Sequence, residues 1–183
     1  MTDIDKQLYD DFGRYVYRNK YDTDGRDANT GYAAEDAFQL ACLNSELYSD
    51  IEPATEEENI ELHIDFKTSR LGGVDVKAKK ESFNEGKIWI EHTNVAGEKG
   101  WLHGGADYIA FDWGDHFRLV KRADLVITVG RLTEKAREVK HKSQALYNWY
   151  QRKDRKDWLT QVTTDDIFFI TVLAIDKHTN EEE

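Results

Sequence analysis

Residues 72–94 read GGVDVKAKKESFNEGKIWIEHTN. The predicted fold of the chain depends on this stretch. Apolar and polar residues alternate in VDVKA and again in IWIEHT, on either side of a polar centre. Alternation with a period of two is typical of half-buried β-strands, because successive side chains point to opposite faces. The pattern predicts a hairpin of two short strands joined by a polar turn.

Charged side chains collect on one face of this predicted hairpin. If the apolar sets face the core, the opposite face carries Asp75, Lys77, Glu91 and Thr93. Neighbouring carboxylates repel each other unless a cation lies between them, and hard oxygen ligands suit Mg²⁺ or Mn²⁺. The face is therefore interpreted as a site for Mg²⁺ or Mn²⁺ with a lysine beside it. Ordinary solvated charge is the alternative.

Size and composition favour a single soluble domain. A chain of 183 residues with 8 Phe, 9 Tyr and 5 Trp can bury a sizeable core. Cys42 is the only cysteine, so no internal disulfide can form, and a reducing cytosol suits the chain. The acidic N-terminus lacks an apolar signal region, and no apolar run reaches the length of a membrane span. These features predict a cytoplasmic protein with no membrane partner.

The net charge of −11 is unevenly distributed. Residues 1–62 carry the whole excess of −11, so residues 63–183 are neutral and reach +3 without the last three glutamates. Phosphate binding draws on Lys and Arg. The part of the chain that contains the candidate site can therefore still present a basic groove to DNA.

Helical spacing of apolar residues predicts two helices before the hairpin. The first covers residues 3–18, and the second begins at Asn29 or Thr30 and ends near Tyr48. Small residues line one face of the second helix, so it can approach a sheet closely. Glu35 lies at the edge of that stripe, where it either reaches a site on the sheet or is simply exposed.

Further strands are predicted on both sides of the hairpin. Residues 62–67 alternate as a strand and would bring Asp65 to the charged face of a three-stranded meander. ADYIAFDW and HFRLVKR predict two strands around Gly114, residues 123–130 fit a strand or a helix, and residues 167–175 fit a terminal buried strand or a helix.

Basic residues concentrate after a predicted amphipathic helix at 133–151. The cluster consists of Arg152, Lys153, Arg155 and Lys156, with Trp158 beside it. It is interpreted either as a nucleic-acid contact or as a solvated face. Lys79 and Lys80, next to the candidate site, are assigned to nucleic-acid binding as well.

The order of these elements resembles the PD-(D/E)xK nuclease superfamily, which includes Holliday-junction resolvases and many phage nucleases. The resemblance rests on a helix with Glu35, a strand with Asp65, GGVDV with Asp75 and IWIEHTN with Glu91, and it covers about residues 31–121. Residues 65–112 also look like small phage proteins of this superfamily. The resemblance implies a restriction-endonuclease-like α/β fold with a central mixed β-sheet flanked by helices.

Two assignments of the motif are open. In the first, Asp75 matches the first metal-binding acid and Glu91 the acid of E-x-K, but Thr93 stands where the lysine is expected and Lys77 would have to replace it. In the second, Asp65 is the first acid and Asp75-Val-Lys77 is an intact (D/E)xK, with Glu91 as an accessory. Both assignments use Asp75 and Lys77. Glu35 matches the helix glutamate of many members, and the resemblance implies that it binds a second metal ion or positions its waters.

The resemblance implies a Mg²⁺- or Mn²⁺-dependent endonuclease that hydrolyses DNA, in the host cytoplasm if a phage encodes it. One domain, 1–183, is expected, with a core at 31–121, a C-terminal helix and basic segment at 133–160, and a disordered acidic tail at 181–183. The alternative is a catalytically silent nuclease-fold protein that binds nucleic acid or a protein partner. A homodimer is left open.

Overall fold

Two mixed β-sheets and several helices form the part of the chain that a computed structural model describes, residues 26–45 and 48–177. The helices are α1 (Arg26–Leu43), α2 (Glu56–Leu62), α3 (Arg122–Leu132) and α4 (Thr164–Phe169). The strands are β1 (Glu52–Pro53), β2 (Phe66–Thr68), β3 (Gly72–Lys77), β4 (Lys87–Thr93), β5 (Tyr108–Asp112), β6 (His116–Lys121), β7 (Glu138–Val139), β8 (Trp149–Tyr150), β9 (Trp158–Thr163) and β10 (Thr171–Asp176).

The larger sheet has six strands in the order β1-β2-β3-β5-β6-β10. Its β3 and β5 run parallel, and its other neighbours run antiparallel. The smaller sheet has the order β4-β9-β8-β7, in which only β7 and β8 are parallel. The predicted α/β class with a mixed sheet is therefore confirmed, and the two strands predicted around Gly114 are β5 and β6.

The predicted hairpin of residues 72–94 is wrong. Both strands exist, but β3 pairs with β2 and β5 in the larger sheet, whereas β4 pairs with β9 in the smaller one. Between them the chain forms a short 3₁₀ helix, Glu81–Glu85, and turns at Gly86 with a φ of 71°. Alternation identifies each strand and its two faces, but it does not specify which strand pairs with which.

The stripe of small residues on α1 packs against one face of the larger sheet, as predicted. Ala34, Phe38, Ala41 and Cys42 are buried in a cluster that includes Val74 and Val76 of β3. The ring of Phe38 meets that of Phe117 edge to face, with 5.1 Å between centroids. The helix begins at Arg26, before the predicted Asn29 or Thr30, and ends at Leu43.

A second apolar cluster fills the space between the two sheets. It joins Ile109, Phe111 and Val120 of the larger sheet to Ile88, Ile90 and Val162 of the smaller one, with Leu125 and Val129 of α3. Because side chains alternate along β3, Asp75 and Lys77 point towards this second cluster, away from α1. The charged pair consequently lies in the region where the two sheets meet.

Three further predictions need correction. Residues 133–151 are not a helix: α3 ends before them, where the Thr133 hydroxyl donates to the Val129 carbonyl oxygen at 2.7 Å, and the chain continues into the short strands β7 and β8. The strand predicted at 62–67 begins only at Phe66, because α2 ends at Leu62 and His63 takes a left-handed φ of 53°. Residues 167–175 are divided between α4 and β10.

Two predictions, the helix at 3–18 and the tail at 181–183, lie outside the described residues. Within the described residues, no helix has both the length and the apolar character needed to cross a membrane.

Candidate functional site

A buried ion pair on β3 is the centre of the candidate site. Asp75 is 1 % exposed, and its Oδ1 lies 2.6 Å from Nζ of Lys77. The other carboxylate oxygen of Asp75, Oδ2, is buried and has no hydrogen-bond partner among the described residues. A buried oxygen without a partner is costly, so this atom is available to a ligand that supplies positive charge.

Asp65 lies beside this pair because β2 and β3 are antiparallel neighbours. Its amide donates to the Val74 carbonyl oxygen at 2.9 Å, and its Oδ2 accepts from the Val76 amide at 2.6 Å. Its Oδ1 accepts from Nδ2 of Asn59 at 2.8 Å. Both oxygens of Asp65 thus already have protein donors, which hold this carboxylate close to Asp75.

Glu91 approaches the pair from β4, the edge strand of the smaller sheet. The segment that follows β4 packs tightly on it, because a Cβ at Gly100 would lie 2.6 Å from the Glu91 carbonyl oxygen and 2.8 Å from its Cγ. The Trp101 amide donates a hydrogen bond to Glu91. Nζ of Lys77 lies 5.0 Å from the centroid of the Trp101 ring. The tertiary fold therefore brings together the three residues that a hairpin was expected to unite.

Burial and charge shift the titration of all three groups. Burial raises the pKa of Asp75 well above its usual range, and the Lys77 ammonium opposes that rise. Burial alone would lower the pKa of Lys77, but the carboxylates of Asp75 and Asp65 hold it above its usual value. Burial also raises the pKa of Glu91, against the opposing charges of Lys77 and Arg152. Both carboxyl groups therefore hold a proton more readily than exposed ones do, and a bound cation would have to displace it.

Asp75 and Glu91 are the two carboxylates that could ligate a divalent cation at this site. Asp75 offers an unpartnered oxygen, and Glu91 offers a second carboxylate that interacts electrostatically with Lys77. Oxygen ligands of this kind suit Mg²⁺ or Mn²⁺, which keep several waters in their coordination shell. Within 26–45 and 48–177, no group of three or more His, Cys, Asp or Glu residues is arranged so that it could hold a metal ion, so any ion here would have two protein carboxylates at most.

Glu35 is not brought to this site. Its helix, α1, packs on the face of the larger sheet that carries Val74 and Val76, and Asp75 points from the opposite face. Metal binding by Glu35 therefore has no geometric support. Of the two motif assignments, the geometry favours the one in which Asp65, Asp75 and Lys77 form the motif and Glu91 is an accessory.

Thr93, which occupies the lysine position of the other assignment, holds a loop. Its hydroxyl donates to the Lys156 carbonyl oxygen at 3.2 Å and accepts from the Trp158 amide at 2.8 Å. The register of β4 against β9 is irregular between Glu91 and Thr93. The Thr93 side chain is therefore bonded to the end of the basic segment at 152–156 and not to the Asp75–Lys77 pair.

If the chain cleaves DNA, as the resemblance implies, Thr93→Lys should cleave it no faster than the unsubstituted protein does. It should lower the free energy of unfolding by about 1–3 kcal/mol, because the Trp158 amide loses its acceptor. Thr93→Ser, which keeps the hydroxyl, is the control. Urea unfolding and a plasmid-nicking assay measure the two effects, and faster cleavage by the lysine variant would favour the E-x-K assignment instead.

No family model, curated protein or solved structure matches this chain.

A lysine-rich cleft of about 160 Å³ opens next to the ion pair. Lys77, Lys79, Lys80 and Lys87 line it, together with aromatic residues that include Phe83, Trp89 and Trp101. Nζ of Lys79 lies 4.8 Å from the centroid of the Phe83 ring. Lys79 and Lys80, for which nucleic-acid binding is predicted, thus line the cleft beside the ion pair. Lys87 and Trp89 were missed, because they belong to β4 and reach the cleft only through the packing of the two sheets.

The basic segment at 152–156 is partly structural. Nε of Arg152 makes a short ion pair with Asp157, which is fully buried. The Lys156 amide is 3.3 Å from the Val95 carbonyl oxygen, whereas the side chains of Lys153 and Lys156 are exposed. Asp157 was not predicted as part of the site, although an acid directly after a basic run is the signal that would have indicated such an internal pair.

Proposed function

We propose that this chain is a metal-dependent nuclease with a restriction-endonuclease-like fold that hydrolyses phosphodiester bonds in DNA. The observation that carries the proposal is the Asp75–Lys77 pair, in which one carboxylate oxygen meets the ammonium at 2.6 Å and the other is buried without a partner. A carboxylate with a free buried oxygen, an ammonium paired with it and a second carboxylate that acts on that ammonium are groups that could bind a divalent ion and stabilise charge during metal-assisted phosphodiester hydrolysis.

Each residue has a distinct role in this proposal. Asp75 and Glu91 would hold Mg²⁺ or Mn²⁺, and Asp65 would fix the position of Asp75 through its own hydrogen bonds to the chain. The bound ion would supply a hydroxide at neutral pH and neutralise charge on the leaving oxygen. Lys77 would orient the attacking water and stabilise the negative charge that develops on the phosphate.

The lysine-rich cleft would receive the DNA backbone. It adjoins the ion pair through Lys77 and adds three more ammonium groups, from Lys79, Lys80 and Lys87. Cations in a confined cleft attract the phosphate chain, and this attraction weakens as the salt concentration rises. The direct test of the proposal is incubation of supercoiled plasmid with purified protein and Mg²⁺ or Mn²⁺. Intact plasmid with both metals would contradict it.

A silent nucleic-acid-binding protein is the second candidate. The observation that favours it is that Lys77 already neutralises Asp75, as in an ion pair that needs no metal. Calorimetric titration with Mn²⁺ separates the two candidates. A silent protein would release no binding heat that depends on Asp75 and Glu91, whereas the nuclease would lose its metal affinity when both are replaced by amides.

Stabilisation by Mg²⁺ should depend on pH. Burial raises the pKa values of Asp75 and Glu91, so without metal the folded chain binds these protons more tightly than the unfolded chain does. Their contribution to stability is therefore largest at low pH and falls as the pH rises from the ordinary carboxyl range through the raised values.

Mg²⁺ offsets this loss, because it binds only the ionised carboxylates. We therefore expect the increase in thermal midpoint caused by Mg²⁺ to grow from about pH 5 to about pH 8. Differential scanning calorimetry at several pH values measures it. The double variant Asp75→Asn with Glu91→Gln should show no such growth, and a pH-independent increase in the unsubstituted protein would contradict the proposed ligands.

A further inference from the structure

A second cavity, of about 320 Å³, lies at the end of β4 and shares no lining residue with the lysine-rich cleft. His92, Thr93, Glu138, Trp149 and Trp158 line it. It is a wide, shallow depression that is open to solvent, so it suits a flat ring that stacks on its surface. We call it the tryptophan cavity.

The lining of the tryptophan cavity selects against phosphate. No Lys or Arg is among its lining residues, and Glu138 is its one acidic side chain. Indole and imidazole rings with one carboxylate suit a flat ring that carries N–H donors.

One polar atom at this cavity has no partner. The ring of His92 packs edge to face on that of Trp149 with 4.3 Å between centroids, and its Nδ1 lies 3.4 Å from Nε2 of His103. Its own Nε2 is buried and makes no hydrogen bond within the described residues. A buried nitrogen of this kind is costly unless a ligand or water completes its hydrogen bonding.

Positive charge adjoins the cavity without entering it. The Thr93 hydroxyl, which lines the cavity, donates to the Lys156 carbonyl oxygen and accepts from the Trp158 amide. Lys156, the last residue of the basic segment, therefore lies next to the cavity. The side chains of Lys153 and Lys156 are exposed. An aromatic cavity bordered by exposed lysines is typical of proteins that stack a base and hold its phosphate alongside.

We propose that the tryptophan cavity binds an unpaired nucleobase of single-stranded DNA. Trp149 and Trp158 provide aromatic surface for the base, Glu138 accepts a hydrogen bond from its exocyclic amino group, and Lys153 and Lys156 attract the adjoining phosphates. This inference rests on the proposed function only in taking nucleic acid as the partner. It deepens that function by naming substrates with an unpaired base next to the cleavage site.

Glu138 predicts which base is preferred. Cytosine carries an N4 amino group that donates to a carboxylate, whereas thymine presents the O4 acceptor at the equivalent position. Oligo(dC) should therefore bind more tightly than oligo(dT) of equal length, by about fivefold or more. Glu138 is exposed, so Glu138→Gln should keep the fold and reduce this preference. Glu134→Gln, another exposed glutamate outside the cavity, is the matched control.

The test is a titration of tryptophan fluorescence with oligo(dC) and oligo(dT), without divalent metal. Trp149→Ala should weaken binding of both by about tenfold or more. If that variant fails to fold, Glu138→Gln carries the test. Equal affinity for the two oligonucleotides in the unsubstituted protein, or a preference for oligo(dC) that survives Glu138→Gln, would overturn the proposal. Saturable binding of tetramethylammonium that competes with oligo(dC) would also overturn it and assign the cavity to organic cations.

The same titration in Asp75→Asn separates this inference from the nuclease proposal. Metal-free binding that depends on Glu138 supports the cavity even if no plasmid is cut. If the protein cuts plasmid but its affinity for oligonucleotides does not change in Glu138→Gln and Trp149→Ala, the nuclease proposal is supported and the cavity has no part in DNA binding.

Discussion

Asp75→Asn should reduce metal-dependent cleavage of DNA by at least about a hundredfold, because even residues that only support metal ligands are worth about 10- to 100-fold in metal affinity or activity. The amide keeps the size of the carboxylate but removes the charge that the proposed ion needs. The oxygen concerned is Oδ2, which has no protein partner within the described residues. The rate of plasmid nicking with Mg²⁺ or Mn²⁺ measures the effect, and circular dichroism checks that the variant is folded.

Asp124→Asn is the matched control for this experiment. Asp124 is an exposed acid in the first turn of α3, outside both cavities, so its replacement should leave the rate unchanged. Nicking by Asp75→Asn at the rate of this control would exclude Asp75 as a ligand and, with it, the nuclease proposal in its present form.

Lys77→Met should destabilise the fold strongly. Asp75 is almost completely buried, so removal of the ammonium leaves its carboxylate without the charge that compensates it. Loss of one partner of a buried pair costs about 3–5 kcal/mol, and we expect the lower end because the Lys77 side chain is 27 % exposed. Urea unfolding at neutral pH measures the change in the free energy of unfolding.

A double variant shows whether the loss comes from the stranded charge. Asp75→Asn combined with Lys77→Met removes both charges and should be more stable than Lys77→Met alone. The difference should shrink as the pH falls and Asp75 in the single variant takes up a proton, because burial already raises its pKa. Lys135→Met, at an exposed position, is the control. A single variant as stable as this control would mean that Lys77 does not compensate Asp75.

The three charged residues of the candidate site were selected from the sequence, but the strand pairing that brings them together was not predicted. Asp75, Lys77 and Glu91 were selected because polar residues alternate with apolar ones, and the structure brings these three together. They were expected to meet across a hairpin, yet they meet across two sheets, because β4 finds its partner in β9 about 70 residues later. Nothing local to residues 72–94 specifies that partner.

The mistaken C-terminal helix has a similar cause. Apolar residues at spacings of three and four fit a helix over 133–151, but the chain there forms β7, a 3₁₀ turn and β8. The Tyr147 amide donates to the Gln161 carbonyl oxygen, and the Gln161 amide donates to the Ala145 carbonyl oxygen. These hydrogen bonds to β9 satisfy the backbone in place of helical ones, which is why tertiary contacts overrode the local pattern.

Periodicity along the chain was enough to identify the strands at the site, the faces that their side chains take, and the small-residue stripe by which α1 approaches the sheet. These properties depend on neighbours a few residues apart. Packing between distant segments decided which strands pair. It also placed Glu35 behind the sheet, and it made Thr93 hold a loop instead of replacing a lysine. Such contacts form only when the whole core assembles, because each buried side chain and backbone group must find its partner at the same time.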